Sequence, residues 1–191
     1  MSLEQDWRGP YTVDDLADLS RFPPEEGVWE LEEGWPAVSP WRGVHVAAAL
    51  DTLRDLLYTA TREADLHVGM IRIEIPGGTS RVPDLVVVDG QARRAGRRAR
   101  AKSMGAGDVV LAVEFVSLAI AAPVYVTKRR EYARSGIPYY WIVDLEPVPA
   151  ITALTLHGTE YALQAKAEGD DELVVEKPFA IRFSPARLAA D

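Results

Sequence analysis

The stretches Val82-Pro-Asp-Leu-Val-Val-Val88 and Val109-Val-Leu-Ala-Val-Glu-Phe-Val116 decide the fold of this chain. Both are apolar and rich in β-branched residues, which is typical of strands that are buried on both faces of a sheet. A third such run is Tyr139-Tyr-Trp-Ile-Val-Asp144, and a predicted helix from Pro123 to about Ser135 comes before it. Buried strands that are joined through a helix predict a mixed sheet with helices packed on its faces.

The segments on either side of these runs add further elements. Apolar residues at helical spacing from Gly43 to about Arg62 predict an amphipathic helix. Val28 to Ser39, with Gly34 between two apolar runs, predicts an N-terminal hairpin, and short strands after Ala150 predict a C-terminal β extension. We therefore expect an α/β (α+β) fold in which a mixed sheet is flanked by helices. It should form a single domain over residues 1–191, with its core at about residues 11–165.

The composition restricts the kind of site that the chain can hold. Cysteine is absent, which excludes disulfides, cysteine nucleophiles and thiolate metal sites. Only three histidines occur, so carboxylates are the expected ligands of any metal ion. Oxygen ligands favour a hard cation, namely Mg²⁺ or Mn²⁺.

The sequence contains no apolar run of the roughly 18 to 20 residues that a membrane-spanning helix needs. Its first residues have no basic start followed by an apolar core, which a secretory signal requires. We therefore expect a cytoplasmic protein without a membrane partner.

Two acidic residues stand inside or beside the buried runs. Glu114 lies within an apolar strand, where an unpaired carboxylate would cost several kcal/mol, and Asp84 opens the preceding run. If the two strands are neighbours, the carboxylates can converge on one cation, which would offset the cost of burying them. The alternative is that Glu114 pairs with an arginine or lies near a strand end.

A basic segment separates the two runs. Six of the 21 basic residues fall within ten positions that hold no acidic residue, namely Arg93, Arg94, Arg97, Arg98, Arg100 and Lys102. Such a segment can bind a polyanion locally although the net charge of the chain is −8. We predict a mobile loop that contacts nucleic acid, and the alternative is a solvated loop without a ligand.

The order of motifs resembles a known family. Pro83-Asp84, followed after a loop by Glu114 in an apolar strand, resembles the core motif of the PD-(D/E)xK nuclease superfamily. The wider order, from about residue 11 to residue 161, resembles the Uma-two family of restriction-endonuclease-type proteins. The motifs that carry this resemblance are Glu30-Leu-Glu-Glu-Gly34, Ser39-Pro40, His45, Val82-Pro-Asp84, Val113-Glu114 with Ser117, Lys128, Tyr132-Ala133 and, as the most specific, Gly136-Ile-Pro-Tyr-Tyr-Trp-Ile-Val-Asp144.

The resemblance implies a restriction-endonuclease-like core in which a mixed sheet carries the acidic residues at one end. Asp84 and Glu114, with the carbonyl of Phe115, would hold Mg²⁺ or Mn²⁺. The usual motif has a lysine two residues after the glutamate, where this chain has Val116. In this family the lysine comes from the following helix, which points to Lys128.

Two further residues are weaker candidates for catalysis. Glu33 follows the first strand of the hairpin and would orient metal-bound water. His45 opens the long helix and is expected to face inward, either as part of the site or as a buried structural histidine.

The resemblance implies a metal-dependent endonuclease that hydrolyses phosphodiester bonds, with DNA as the expected substrate. A homodimer could then cut both strands of a duplex. The family pattern is broken where Ser117-Leu-Ala-Ile120 replaces Ser-Pro-Ser/Thr, Val124 replaces an aspartate and Tyr139 replaces a glutamate. The alternatives are therefore a nuclease fold that has lost catalysis and binds or regulates, and an unrelated metal-dependent hydrolase of a small phosphorylated substrate.

Overall fold

The protein is seen here in a computed structural model that describes residues 9–18, 21–24, 27–116 and 121–189. Its strands are β1 (Val28–Glu32), β2 (Trp35–Ser39), β3 (Leu66–Gly69), β4 (Ile73–Ile75), β5 (Thr79–Arg81), β6 (Leu85–Asp89), β7 (Met104–Gly105), β8 (Val109–Phe115), β9 (Tyr139–Asp144), β10 (Ala150–His157), β11 (Glu160–Glu168), β12 (Leu173–Val175) and β13 (Ile181–Phe183). The helices are α1 (Val44–Thr61), α2 (Gly90–Ala99) and α3 (Arg129–Arg134). A π-helical segment, Pro123–Lys128, leads into α3, and single turns of 3-10 helix occur at Asp15–Ala17, Ala106–Asp108 and Pro185–Leu188.

A six-stranded sheet in the order β11-β10-β9-β8-β6-β3 forms the centre of the fold. β8 and β9 are parallel, whereas the other neighbouring strands are antiparallel. A parallel pair needs a crossover connection, and the helical stretch from Pro123 to Arg134 supplies it. The three runs predicted as buried strands are β6, β8 and β9, and the predicted mixed sheet flanked by helices is confirmed.

The main sheet has a hydrophobic core on each face. α1 packs on one face through a buried stripe of Val46, Ala49, Leu53 and Leu57. The helical crossover packs on the other face, where Val124 and Tyr132 are fully buried. Because side chains alternate along a strand, Val113 and Phe115 face α1, while Glu114 between them faces the crossover.

The predicted hairpin and the predicted β extension are both present. β1 and β2 pair antiparallel and turn at Glu33 and Gly34, within a second sheet of order β2-β1-β5-β4-β7. β10 and β11 extend the main sheet beyond β9, and β12 and β13 form a two-stranded sheet. Within the described ranges, no helix is long and apolar enough to cross a membrane.

The basic segment after β6 is a helix, so the prediction of a mobile loop was wrong. The carboxylate of Asp89 accepts a hydrogen bond from the backbone N–H of Ala92 at 2.7 Å and thereby caps the first turn of α2. Arginine and alanine favour helix, and Arg97 and Arg98 lie in the last turn, where cations interact favourably with the helix dipole. The cap at Asp89 is the feature that the sequence analysis missed.

Candidate active site

Asp84, directly before β6, lies beside Glu114 of the adjacent strand β8 in the main sheet. β6 and β8 are antiparallel with Leu85 opposite Val113, so the next pair of positions is Asp84 and Glu114. The backbone N–H of Phe115 donates to Asp84 Oδ2 at 2.7 Å and fixes this carboxylate against β8. The strand register therefore brings together the two acidic residues of the motif.

Glu114 is completely buried, with 0% of its surface exposed. Its Oε1 accepts hydrogen bonds from Lys128 Nζ at 2.9 Å and from the Tyr132 hydroxyl at 2.7 Å. Its Oε2 has no hydrogen-bond partner among the described residues. Burial raises the pKa of Glu114 to about 7; the Lys128 ammonium opposes this effect, and the carboxylates of Asp84 and Glu30 add to it. The carboxylate thus keeps one oxygen available to a cation.

Lys128 reaches this carboxylate from the helical crossover. It is the last residue of the π-helical segment, and only 5% of its surface is exposed. Its Nζ lies 2.9 Å from Glu114 Oε1 and 3.4 Å from Glu30 Oε1. Burial alone would lower the pKa of Lys128, but Glu114, Glu30 and Asp84 outweigh burial and raise it, so the ammonium stays charged. The structure brings Asp84, Glu114 and Lys128 into one cluster.

The sequence analysis missed Glu30, which is a buried member of the same cluster. Its Oε1 accepts a hydrogen bond from the backbone N–H of Val82 at 2.8 Å, and its Oε2 lies 3.3 Å from Arg81 Nη1. The Arg81 guanidinium also donates to both carboxylate oxygens of Glu131. An acidic residue inside an apolar strand was the signal that could have found Glu30, because Val28-Trp-Glu-Leu-Glu32 contains it.

Arg42 is the second residue that the sequence analysis missed. It lies between β2 and α1, and its Nε and Nη2 donate to Asp84 Oδ1 and Oδ2, both at 2.7 Å. The same Nη2 is 3.9 Å from Glu114 Oε2. One guanidinium nitrogen of Arg42 therefore lies within 4 Å of both carboxylates. Nothing in the local sequence pattern distinguishes Arg42 from an ordinary loop arginine.

The two weaker candidates, Glu33 and His45, lie outside this cluster. Glu33 is exposed in the turn between β1 and β2 and adopts a φ of 51°. His45 is exposed in the first turn of α1, so the prediction that it faces inward was wrong: the buried stripe begins one residue later, at Val46. His45 instead lines a cavity of about 430 Å³, together with Arg42 and Phe115.

The basic residues lie at the other end of the main sheet. α2 begins where β6 ends, roughly 20 Å from Asp84 at about 3.3 Å per strand residue. Arg94 donates to both carboxylate oxygens of Asp65, at 2.6 and 2.7 Å, and Lys102 pairs with Asp14 at 2.7 Å. The remaining members of the set are Arg93, Arg97, Arg98 and Arg100, which lie on α2 or directly after it. The structure does not bring this basic cluster to the acidic one.

Three of the four departures from the family pattern lie in described parts of the chain. Val116 follows the end of β8, Val124 is completely buried in the core beside the crossover, and Tyr139 is half-buried at the start of β9. All three positions therefore contribute to packing. The fourth departure, at residues 117–120, lies outside the described residues.

The acidic cluster offers few side-chain donors to a divalent cation. The described ranges hold no group of three or more histidine, cysteine or acidic side chains that could bind a metal ion. The Asp84–Glu114 pair nevertheless fits a hard cation, because Arg42 Nη2 lies within 4 Å of an oxygen of each and no described residue hydrogen-bonds Glu114 Oε2. Phe115, whose carbonyl was the third expected ligand, follows Glu114 at the end of β8. Mg²⁺ accepts so small a protein ligand set, since it usually keeps several water ligands.

Comparison with known proteins identifies the fold and the family of the chain. One solved structure that resembles the chain is the crystal structure of "a putative nuclease belonging to DUF820" from Anabaena variabilis, with a TM-score of 0.68 and 17% sequence identity. The match covers 94% of this chain and 98% of that chain, and at this identity it shows the fold alone. No curated protein sequence matches. A sequence profile of the Uma2 family, described as "Putative restriction endonuclease", matches residues 15–190. The chain therefore belongs to the Uma2 family, the one that its motifs resemble.

Proposed function

We propose that this chain is a metal-dependent endonuclease that hydrolyses phosphodiester bonds of DNA. The observation that carries the proposal is the buried cluster of Asp84, Glu114 and Lys128, in which the strand register sets the two carboxylates side by side and Lys128 Nζ contacts Glu114 Oε1 at 2.9 Å. Such a buried cluster is costly to fold, and clusters of perturbed ionisable groups are concentrated at functional sites. Membership of the Uma2 family supports the nuclease class.

The proposed metal ligands are Asp84, Glu114 and the carbonyl of Phe115. Oxygen donors of this kind match the preference of Mg²⁺ and Mn²⁺. When it is bound, such an ion supplies Lewis-acid polarisation of a phosphate oxygen and a lowered pKa for a bound water molecule.

The side chains around the ligands have separate tasks. Lys128 Nζ donates to a phosphate oxygen or to the attacking water, and its positive charge offsets the negative charge that develops on the phosphate. Tyr132 donates to Glu114 Oε1 and holds this carboxylate in place. Glu30 accepts a hydrogen bond from Lys128 Nζ. It takes the role that was expected of Glu33, which is to orient metal-bound water. His45, on the wall of the adjacent cavity, is placed to contact substrate.

Binding of the DNA backbone is proposed at α2. Arg97, Arg98 and Arg100 are exposed there and Arg93 is half-buried, and basic side chains on one helix bind phosphates by displacing condensed counterions. The roughly 20 Å between α2 and Asp84 corresponds to about six base steps of duplex DNA. One duplex can therefore reach both regions. A cytoplasmic location and a homodimer that cuts both strands complete the proposal.

Nicking of supercoiled plasmid DNA tests the proposal. The wild-type protein should convert the plasmid to the nicked form with Mg²⁺ and lose this activity in EDTA. Asp84→Asn should abolish nicking, whereas Arg54→Met, a change at an exposed arginine of α1, should leave it intact. Equal nicking by the wild type and by Asp84→Asn would contradict the proposal.

A second candidate function is a nuclease fold that binds nucleic acid without cutting it. One observation favours it: Arg42 pairs with both carboxylate oxygens of Asp84, as a structural ion pair does. This candidate predicts that DNA binding is independent of Mg²⁺ and that no nicking occurs under any metal condition. Hydrolysis of a small phosphate ester in place of DNA would instead favour a phosphatase-like enzyme.

A further inference from the structure

We propose that Arg42 is a built-in cation that occupies the metal position of the free protein and that a metal ion must displace it. The inference rests on the proposed function, since it concerns how the same acidic pair is regulated. Its consequence is that the metal affinity of the chain is set by competition with its own arginine.

Arg42 contacts both carboxylate oxygens of Asp84. Both hydrogen bonds are 2.7 Å long, and Asp84 Oδ2 also accepts the backbone N–H of Phe115 at 2.7 Å. The Nη2 atom that contacts Asp84 lies 3.9 Å from Glu114 Oε2. A metal ion held by Asp84 and Glu114 would compete with this nitrogen for the same carboxylates.

The charges of the cluster explain why a cation is needed there. Asp84 is 8% exposed and Glu114 0% exposed, so two carboxylates meet in a region with little water. Lys128 lies beside Glu114 Oε1 and leaves the Oε2 side uncompensated. Without Arg42 or a metal ion, the desolvated pair would repel, because like charges interact strongly away from water. With both present, the guanidinium and the ion would repel each other.

The position of Arg42 allows its guanidinium to move away from Asp84. It lies in the connection between the end of β2 and the start of α1, outside regular secondary structure. Its side chain is 15% exposed and lines the cavity of about 430 Å³. The guanidinium can therefore move into this cavity without unfolding a strand or a helix.

Isothermal titration of the full-length protein with MnCl₂ tests the inference, under mildly alkaline and DNA-free conditions. Arg42→Met removes the competing charge and should bind Mn²⁺ at least about tenfold more tightly than the wild type. Arg42→Lys keeps the charge without the paired hydrogen bonds and should fall between the two. Arg54→Met is the matched control at an exposed arginine and should bind as the wild type does.

Thermal unfolding gives a second readout that does not depend on catalysis. In EDTA, Arg42→Met should unfold at a lower temperature than the wild type, and saturating Mn²⁺ should abolish the difference. If Arg42→Met and Arg42→Lys bind Mn²⁺ no more tightly than the wild type while Asp84→Asn abolishes binding, the competition is refuted and the metal site stands. If neither the wild type nor either Arg42 variant binds Mn²⁺, the metal site of the proposed function fails, and the competition fails with it.

Discussion

At the scale of one residue, the burial of Glu114 makes the stability of the folded protein depend on pH. The Glu114 carboxylate has 0% exposure, and burial raises its pKa to about 7, above the ordinary glutamate value of 4.5. Between these two values the folded protein holds a proton that the unfolded chain has released. The stability associated with Glu114 is therefore fully present below pH 4.5 and is lost as the pH rises through about 7.

Glu114→Gln should remove this pH dependence. The variant stays neutral, so its free energy of unfolding relative to the wild type should rise between pH 4.5 and about 7, by about 3 kcal/mol at most. Urea denaturation in EDTA across this range measures the difference. Glu160→Gln, at an exposed position on β11, is the control and should follow the wild type at every pH. A constant offset between Glu114→Gln and the wild type would show that Glu114 does not titrate as proposed.

Lys128→Met should reduce the rate of plasmid nicking by roughly 10²- to 10³-fold, the size of loss seen when one stabilising donor is removed from an active site. The reason is that Lys128 Nζ supplies the positive charge beside Glu114. Lys166→Met changes an exposed lysine on β11 and serves as the control. Retention of wild-type nicking by Lys128→Met would show that the lysine only balances buried charge.

The sequence predicts some site residues better than others. Asp84, Glu114 and Lys128 are found because two acids next to buried strands are anomalous and the family motif supplies the lysine. Arg42 is missed because its role depends on which loop packs against the acids, and no local pattern encodes that packing. Glu30 carries the same local signal as Glu114, an acidic residue inside an apolar strand, but its contact with Lys128 depends on which strand packs against the acids.

At the scale of elements, the π-helical segment places Lys128. A π-helical turn is rare and recurs at functional sites, and here it ends at the residue that contacts Glu114. The proline at the first position and Gly136 after the end predicted a helix from Pro123 to about Ser135, and the observed helical stretch ends at Arg134. The sequence thus predicts the extent of this element but not its local winding.

α2 shows where reasoning from composition fails for an element. The run of arginines between two strands suggested a mobile loop, because charge runs are usually solvated. The capping hydrogen bond from Ala92 to Asp89 and the pairing of Arg94 with Asp65 instead order it as a helix. Because α2 is an ordered helix, its basic side chains point in defined directions. This favours the interpretation of α2 as an interaction surface rather than as a mere connection between two strands.

A salt titration of DNA binding tests the role of α2. Replacing Arg93, Arg97 and Arg98 with glutamine keeps the helix and removes three charges. If each contacts one phosphate of duplex DNA, the slope of log affinity against log salt should flatten by about 0.9 per contact. The matched control replaces three other arginines with glutamine, namely Arg54, Arg182 and Arg187. Equal slopes for the wild type and the α2 variant would mean that α2 does not contact DNA.

At the scale of the whole molecule, the acidic cluster and the basic helix α2 lie at opposite ends of the main sheet. The acidic cluster lies where β6 begins and the basic helix follows where β6 ends, at opposite ends of the same strand. The net charge of −8 makes general attraction to nucleic acid unfavourable, so the proposed DNA binding requires local basic groups. The alternation of apolar strands and helices in the sequence predicts this framework, because burial of each apolar run requires a covering layer.

Anomalous scattering of Mn²⁺ in crystals of the wild-type protein soaked with MnCl₂ tests most directly whether Asp84 and Glu114 hold a metal ion that displaces Arg42. We expect one strong peak within roughly 2.5 Å of a carboxylate oxygen of Asp84 and of Glu114. The Arg42 guanidinium should have moved away from Asp84, and Lys128 should still lie beside Glu114. A well-diffracting soaked crystal with no peak between the two carboxylates, and with Arg42 still paired to Asp84, would contradict it.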